Sequence, residues 1–210
     1  LPPENFHSWN LIESAPSPYH CQSYDALFIG GSGDFYVSKR DQPHFDSYLT
    51  TLKTLVDKDQ PIFGACYGYQ SLAEVLGGKV EHRPTKAEVG TYSVGLTPAG
   101  LKDPLLGQLP KRFKVQQGHK DHVTLHPTVG VNLAQSERCT NQAFRVGDKP
   151  VWGVQFHPEL THAGNKERFI HYLEGYSSAF TQDEQEEIMS RFGESPEASS
   201  LLQKFLDLVF

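Results

Sequence analysis

Residues 61–78 read PIFGACYGYQSLAEVLGG. Pro61 opens a short apolar run that ends in Gly64-Ala65-Cys66-Tyr67-Gly68-Tyr69-Gln70. Leu72, Ala73, Val75 and Leu76 then continue as a helix, and Gly77-Gly78 stops it. A cysteine flanked by glycines between a strand and a helix is the setting of a nucleophile elbow, with Cys in the place of Ser. Small flanking residues let the backbone pass close by in such a strained turn. The thiol stands at the end of the sheet, where the amide dipoles of the next helix favour a thiolate.

Working outward, DALFIGGSG at 25–33 is an apolar strand, Ala26–Ile29, running into a glycine loop. Phe45, Tyr48, Leu49, Leu52, Leu55 and Val56 follow at the spacing of one helix face. Strand, helix, strand, helix is the grammar of a parallel sheet covered on both sides. From about residue 79 the pattern changes. Tyr92, Val94 and Leu96 alternate, as do Val129, Val131 and Leu133, and short strands are expected at Gln142–Val146 and Val151–Phe156. The expected fold class is therefore α/β, a mostly parallel central sheet flanked by helices, with a smaller antiparallel extension. A helix is expected around 163–175. Thr181 and Glu184 have capping-box spacing, Gly193 is a stop, and Ser195-Pro196 fits the start of a last helix with Leu201, Leu202, Phe205, Leu206 and Val209 on one face. That face is expected to dock on the domain.

The 210 residues suit one domain with a small appendage, at ~100–200 residues per domain. With 38% hydrophobic, 21% charged and 11% aromatic residues, the chain lies outside the disordered class. A net charge of −6 without a basic stripe argues against nucleic acid as a partner. No window reaches ~18 consecutive apolar residues, so no membrane span is expected. LPPENFHSWN lacks the marks of a signal peptide. Cys21, Cys66 and Cys139 form neither a disulfide framework nor a CxxC pair, which points to a reducing, cytoplasmic setting. His119, His122 and His126 read as a polar loop, and no metal site is expected.

A thiol nucleophile needs a base, and the base needs an orienter. VQFHPE at 154–159 supplies both at the end of an apolar strand. His157 and Glu159 are two apart, so in an extended segment they project to one side, and Pro158 stiffens the pair. Gly30-Gly31-Ser32-Gly33 can aim backbone N–H groups at an anionic oxygen. It is neither GxGxxG nor a P-loop, so no nucleotide site and no cofactor is expected.

These strings carry a family resemblance. FIGGSGD at 28–34, PIFGACYGYQSLAEVLGG, QGHKDHV at 117–123 and VWGVQFHPELTH at 151–162 are similar to the class I glutamine amidotransferases, over about residues 25–176. Within that family the chain looks most like the amidotransferase domains of GMP synthases. The resemblance implies a flavodoxin-like fold, with Cys66 as nucleophile, His157 as base and Glu159 as its orienter. Gly31 and Tyr67 would supply oxyanion-hole N–H groups, while Gln70, Gly118 and His119 would line the substrate site. It implies a domain over 1–176 and a docked helical extension over 177–210. It also implies glutamine as substrate, a cysteine-dependent glutaminase reaction, and an ammonia-accepting synthase on another chain. A γ-glutamyl hydrolase or peptidase with the same triad, or a non-catalytic regulatory module, are the alternatives. Three departures stand out. The family's first strand and helix, ahead of the segment corresponding to Asn10–Ala15, are not legible. Ser32 stands where many members have Pro, and Gly118 where GMP-synthase-like members have Ser.

Overall fold

The computed structural model describes residues 2–173 and 180–210. Its longer elements run α1 (Pro18–Cys21), β1 (Leu27–Ile29), α2 (Phe45–Asp57), β2 (Ile62–Ala65), α3 (Tyr67–Val75), β3 (Lys79–His82), β4 (Glu88–Leu96), β5 (Arg112–His119), β6 (Asp121–Leu125), β7 (Gly130–Gln135), β8 (Ala143–Val146), β9 (Val151–Val154), α4 (His162–His171), α5 (Gln182–Ser190), α6 (Pro196–Ser199) and α7 (Leu201–Val209).

Seven strands form one sheet in the order β1-β2-β9-β8-β7-β4-β5. The expected α/β architecture is present. β1, β2 and β9 run parallel, with Ile62 opposite Val151 and Ala65 opposite Val154. Every residue of β2 and β9 is buried, as an unbroken apolar run covered on both faces requires. β8, β7, β4 and β5 continue the sheet through antiparallel pairings. The four residues between β8 and β9 allow only a hairpin. A two-stranded antiparallel sheet, β3 with β6, stands beside the main one.

Alternation along β2 splits the core. Ile62 faces the α2 and α3 side, where Leu52, Leu55, Val56 and Leu72 are buried. Phe63 and Ala65 face the other side with Trp152, Leu201 and Phe205. All six positions read as the apolar face of α2 are buried. On the opposite side α7 lays Phe205 edge-on to Phe28, Phe63 and Trp152, with ring centroids 5.4, 5.5 and 6.0 Å apart.

Several local expectations need correcting. The histidine stretch is a loop only at His126: His119 ends β5, His122 lies in β6, and both are buried. Burial, and then the charge of His119, drives the His122 imidazole far below its ordinary pKa, so that ring is neutral. The last helix is split at Ser200 into α6 and α7. Ser195 does not cap α6 through its hydroxyl, which instead lies 3.0 Å from Gln116 Nε2 as that amide's acceptor. The capping box at Thr181 and Glu184 forms as expected. Helix α4 ends at His171, and positions 174 and 175 of the expected helix lie outside the described residues, as does the expected boundary at 176/177. No helix among the described residues is long and apolar enough to cross a membrane.

Candidate active site

The parallel strands β2 and β9 both stop at the same rim of the sheet, and each delivers one chemical group there. Cys66 follows β2 directly and caps α3 with φ 51° and ψ −100°, a region non-glycine residues rarely enter. The strain is held from both sides. The Cys66 N–H donates to Val154 C=O at 2.9 Å, and the Gln70 N–H donates to Cys66 C=O at 3.0 Å. The elbow also presses on β1: a Cβ at position 68 would lie 2.8 Å from Ile29 Cβ, so only glycine fits.

His157 lies three residues beyond β9, and its N–H donates to Gln116 C=O at 2.9 Å. Its imidazole is fully buried, and Nδ1 donates to Glu159 Oε1 at 2.6 Å. Nε2 is then the nitrogen left to face the Cys66 thiol. Burial opposes ionisation of Cys66, but the charge of His157, the hydrogen bond to it and the nearby Arg168 and His119 outweigh it and hold the thiol below its usual pKa. Burial likewise opposes charging of His157. The charge of Cys66 and the bond to it, then Glu159, overcome this and push the imidazole up to about 9. Each charge favours the other, so the couple leans toward a thiolate beside an imidazolium.

The glycine loop lies against this couple. A Cβ on Gly31 would stand 2.5 Å from His157 Cε1 and 3.5 Å from Cys66 Cβ, so the backbone comes as near as glycine allows. The Gly68 N–H donates to Gly30 C=O at 3.2 Å. That bond fixes one end of the Gly30–Gly31 peptide unit, and in a trans peptide the Gly31 N–H then points the other way. Tyr67 opens α3 from the other side of Cys66.

A cavity opens from Cys66, bordered by Ser32, Gln70, Gly118, His119 and Arg168. It thus brings together Cys66 and all three residues expected to line a substrate site. Gln70 Nε2 is already committed, donating to Asp121 C=O at 3.1 Å and to Gln155 Oε1 at 3.2 Å. His119 borders the cavity but spends both ring nitrogens on the protein, Nδ1 on Asp121 C=O at 2.9 Å and Nε2 on Glu88 Oε2 at 3.0 Å. Ser136 Oγ and Gln142 Nε2 also donate to the Glu88 carboxyl, at 2.7 and 2.6 Å, so the Glu88–His119 contact is held inside a buried hydrogen-bond cluster. At Gly118 a Cβ would find nothing nearer than Asn165 Oδ1 at 3.9 Å. Gly118→Ser is therefore expected to raise stability by up to ~1 kcal/mol, since glycine inside a strand is entropically costly. A thermal melt shifted downward would show the wall to be tighter than described.

Two site residues escaped the sequence reading. Glu88 is one. Arg168 on α4 is the other, with Nη1 3.4 and 3.3 Å from the two ring nitrogens of His157. A signal existed: Asn165 and Phe169 mark the buried face of α4, and Arg168 shares it by helical spacing. Among the described residues, no cluster of three or more His, Cys, Asp or Glu side chains could hold a metal ion.

Comparison with known proteins places this geometry. The family model for glutamine amidotransferase class-I matches residues 9–172. The chain is 35% identical over 145 residues to a glutamine-hydrolysing GMP synthase of Thermosipho africanus, covering 69% of this chain and 26% of that protein. It therefore spans about a quarter of that relative's length. It is 31% identical over 153 residues to one subunit of a glutamine-hydrolysing GMP synthase of Archaeoglobus fulgidus, covering 73% of this chain and 76% of that one. Among solved structures, a glutamine amidotransferase of Thermotoga maritima shares the fold with a TM-score of 0.69 at 24% identity, over 90% of this chain and 79% of that one. A family match across most of the chain, over a sheet that ends in a Cys elbow and an FHPE turn, makes this protein a member of the class-I glutamine amidotransferase family.

Proposed function

We propose that the chain hydrolyses the side-chain amide of glutamine and that the ammonia serves a synthase on another chain. The observation that carries the reading is the line Cys66, His157, Glu159, with Cys66 held in a strained elbow at the mouth of a cavity. The Cys66 thiolate adds to the amide carbon. The oxyanion is met by the N–H groups of Gly31 and Tyr67, and one such donor contributes roughly 3–4 kcal/mol. The His157 imidazolium gives its proton to the departing nitrogen as the C–N bond breaks, leaving ammonia and a γ-glutamyl thioester. His157, now neutral, takes a proton from water. The hydroxide attacks the thioester, and glutamate leaves as the Cys66 thiolate returns. Glu159 holds the ring throughout. The synthase partner is inferred from relatives of similar length that are named as single subunits of GMP synthases, which implies further subunits beside them. A reducing cytoplasm suits the free nucleophilic thiol.

The test is labelling by a diazo-ketone analogue of glutamine, read by mass spectrometry, alongside ammonia release from glutamine. Cys66 alone is expected to react. Burial raises the Cys21 thiol, and burial followed by the charge of Glu88 pushes Cys139 up to about 12, so both stay protonated. Label on Cys21 or Cys139 would overturn the assignment. Faster amine release from γ-glutamyl peptides than ammonia release from glutamine would replace it with a γ-glutamyl hydrolase.

A further inference from the structure

The guanidinium of Arg168 lies against the catalytic imidazole. Its Nη1 is nearly equidistant from Nδ1 and Nε2, at 3.4 and 3.3 Å, so it sits over the ring rather than in its plane. Nη2 reaches the Ser32 C=O of the glycine loop at 3.4 Å. Arg168 borders the cavity, and among the described residues it has no carboxylate within salt-bridge distance. We propose that Arg168 is a positioning residue that ties the glycine loop to the Cys66–His157 couple and sets a fixed cation beside the thiolate.

This rests on the glutaminase reading and adds a second anchor to the loop. The Gly68 N–H holds the Gly30 carbonyl from the elbow side, and Arg168 holds the Ser32 carbonyl from the α4 side. The Gly31 peptide lies between these two fixed points. The charge acts on both members of the couple. It favours the anionic form of Cys66, and it opposes the cationic form of His157, which makes that ring a readier acid toward the departing nitrogen. The other groups that bear on Cys66 are His157, with Glu159 behind it, and His119 of β5, while Lys120 and Asp121 border the same cavity. Arg168 contributes both a charge to the thiolate and a bond to the loop. A planar guanidinium can stack on a ring and donate from its edge at once, whereas an ammonium cannot.

Arg168→Gln and Arg168→Lys separate these two roles. Alkylation of Cys66 by iodoacetamide is followed against pH, and kcat and KM are measured for glutamine. In Arg168→Gln the alkylation midpoint is expected to rise by ~1 pH unit. Its kcat is expected to fall ~10²-fold through misplacement of the loop, with KM little changed. Arg168→Lys is expected to restore the midpoint and not kcat. An unchanged midpoint in Arg168→Gln with a wild-type melting curve would overturn the proposal. So would a loss seen wholly in KM, which would make Arg168 a receptor for the substrate carboxylate. Alkylation needs no glutamine turnover, so it judges Arg168 even if the substrate proves to be another γ-glutamyl compound.

Discussion

Replacing His157 with Ala is expected to reduce ammonia release from glutamine by ~10⁴-fold, the upper range for a placed acid–base group. The change removes the counter-charge of Cys66, while the thiol remains buried. Glu159→Gln is expected to cost far less. Its side chain is 37% exposed against 0% for His157, so solvent screens part of its charge. A glutamine Oε1 can still accept from Nδ1. The pH profile follows from the couple. Turnover falls on the acid side as Cys66 is protonated and on the alkaline side as His157 loses its proton near 9. Steady-state rates of the two variants decide the matter, and equal, small losses would show that the triad is not assembled as described.

The second large effect concerns stability. Phe205→Ala is expected to cost ~3–5 kcal/mol, the range for emptying a fully buried aromatic site. Phe205 is 0% exposed and touches one ring from β1, one from β2 and one from β9. On the same helix Leu208 is 39% exposed, and Leu208→Ala is expected to stay within ~0.5 kcal/mol. Urea unfolding of the two variants provides the comparison. A loss below ~1 kcal/mol for Phe205→Ala would mean that α7 is an appendage rather than the cover of one sheet face.

The sequence discloses most where a short string carries both a strand end and a chemical group. The Cys66 elbow and the His157-Pro158-Glu159 turn are of that kind, because glycine, proline and two-residue spacing fix their geometry locally. The helix face from Phe45 to Val56 was legible for a similar reason, since its period is written in six apolar residues. β3, β5 and β6 were not. Arg112–His119 is rich in charged and amide side chains, Asp121–Leu125 opens on Asp and His, and the burial of both depends on partners distant in sequence. Glu88 meets His119 across a distance of 31 residues, and Ser38 meets Asp121 across 83. Arg168 is a surface-type residue until the fold supplies an imidazole beneath it.

The pairing of β2 with β9 has a consequence for how the chain acquires its activity. Gly64 lies opposite Gly153, so this pair closes a loop of about 90 residues and carries the entropic cost of a long-range closure. Cys66 hangs from one side of that closure and His157 from the other. A ribosome-bound chain that has not yet released β9 holds an unpartnered thiol of ordinary reactivity. On the proposed reading the reactive thiolate comes into being with β9, so Cys66 labelling during refolding is expected to report completion of the central sheet.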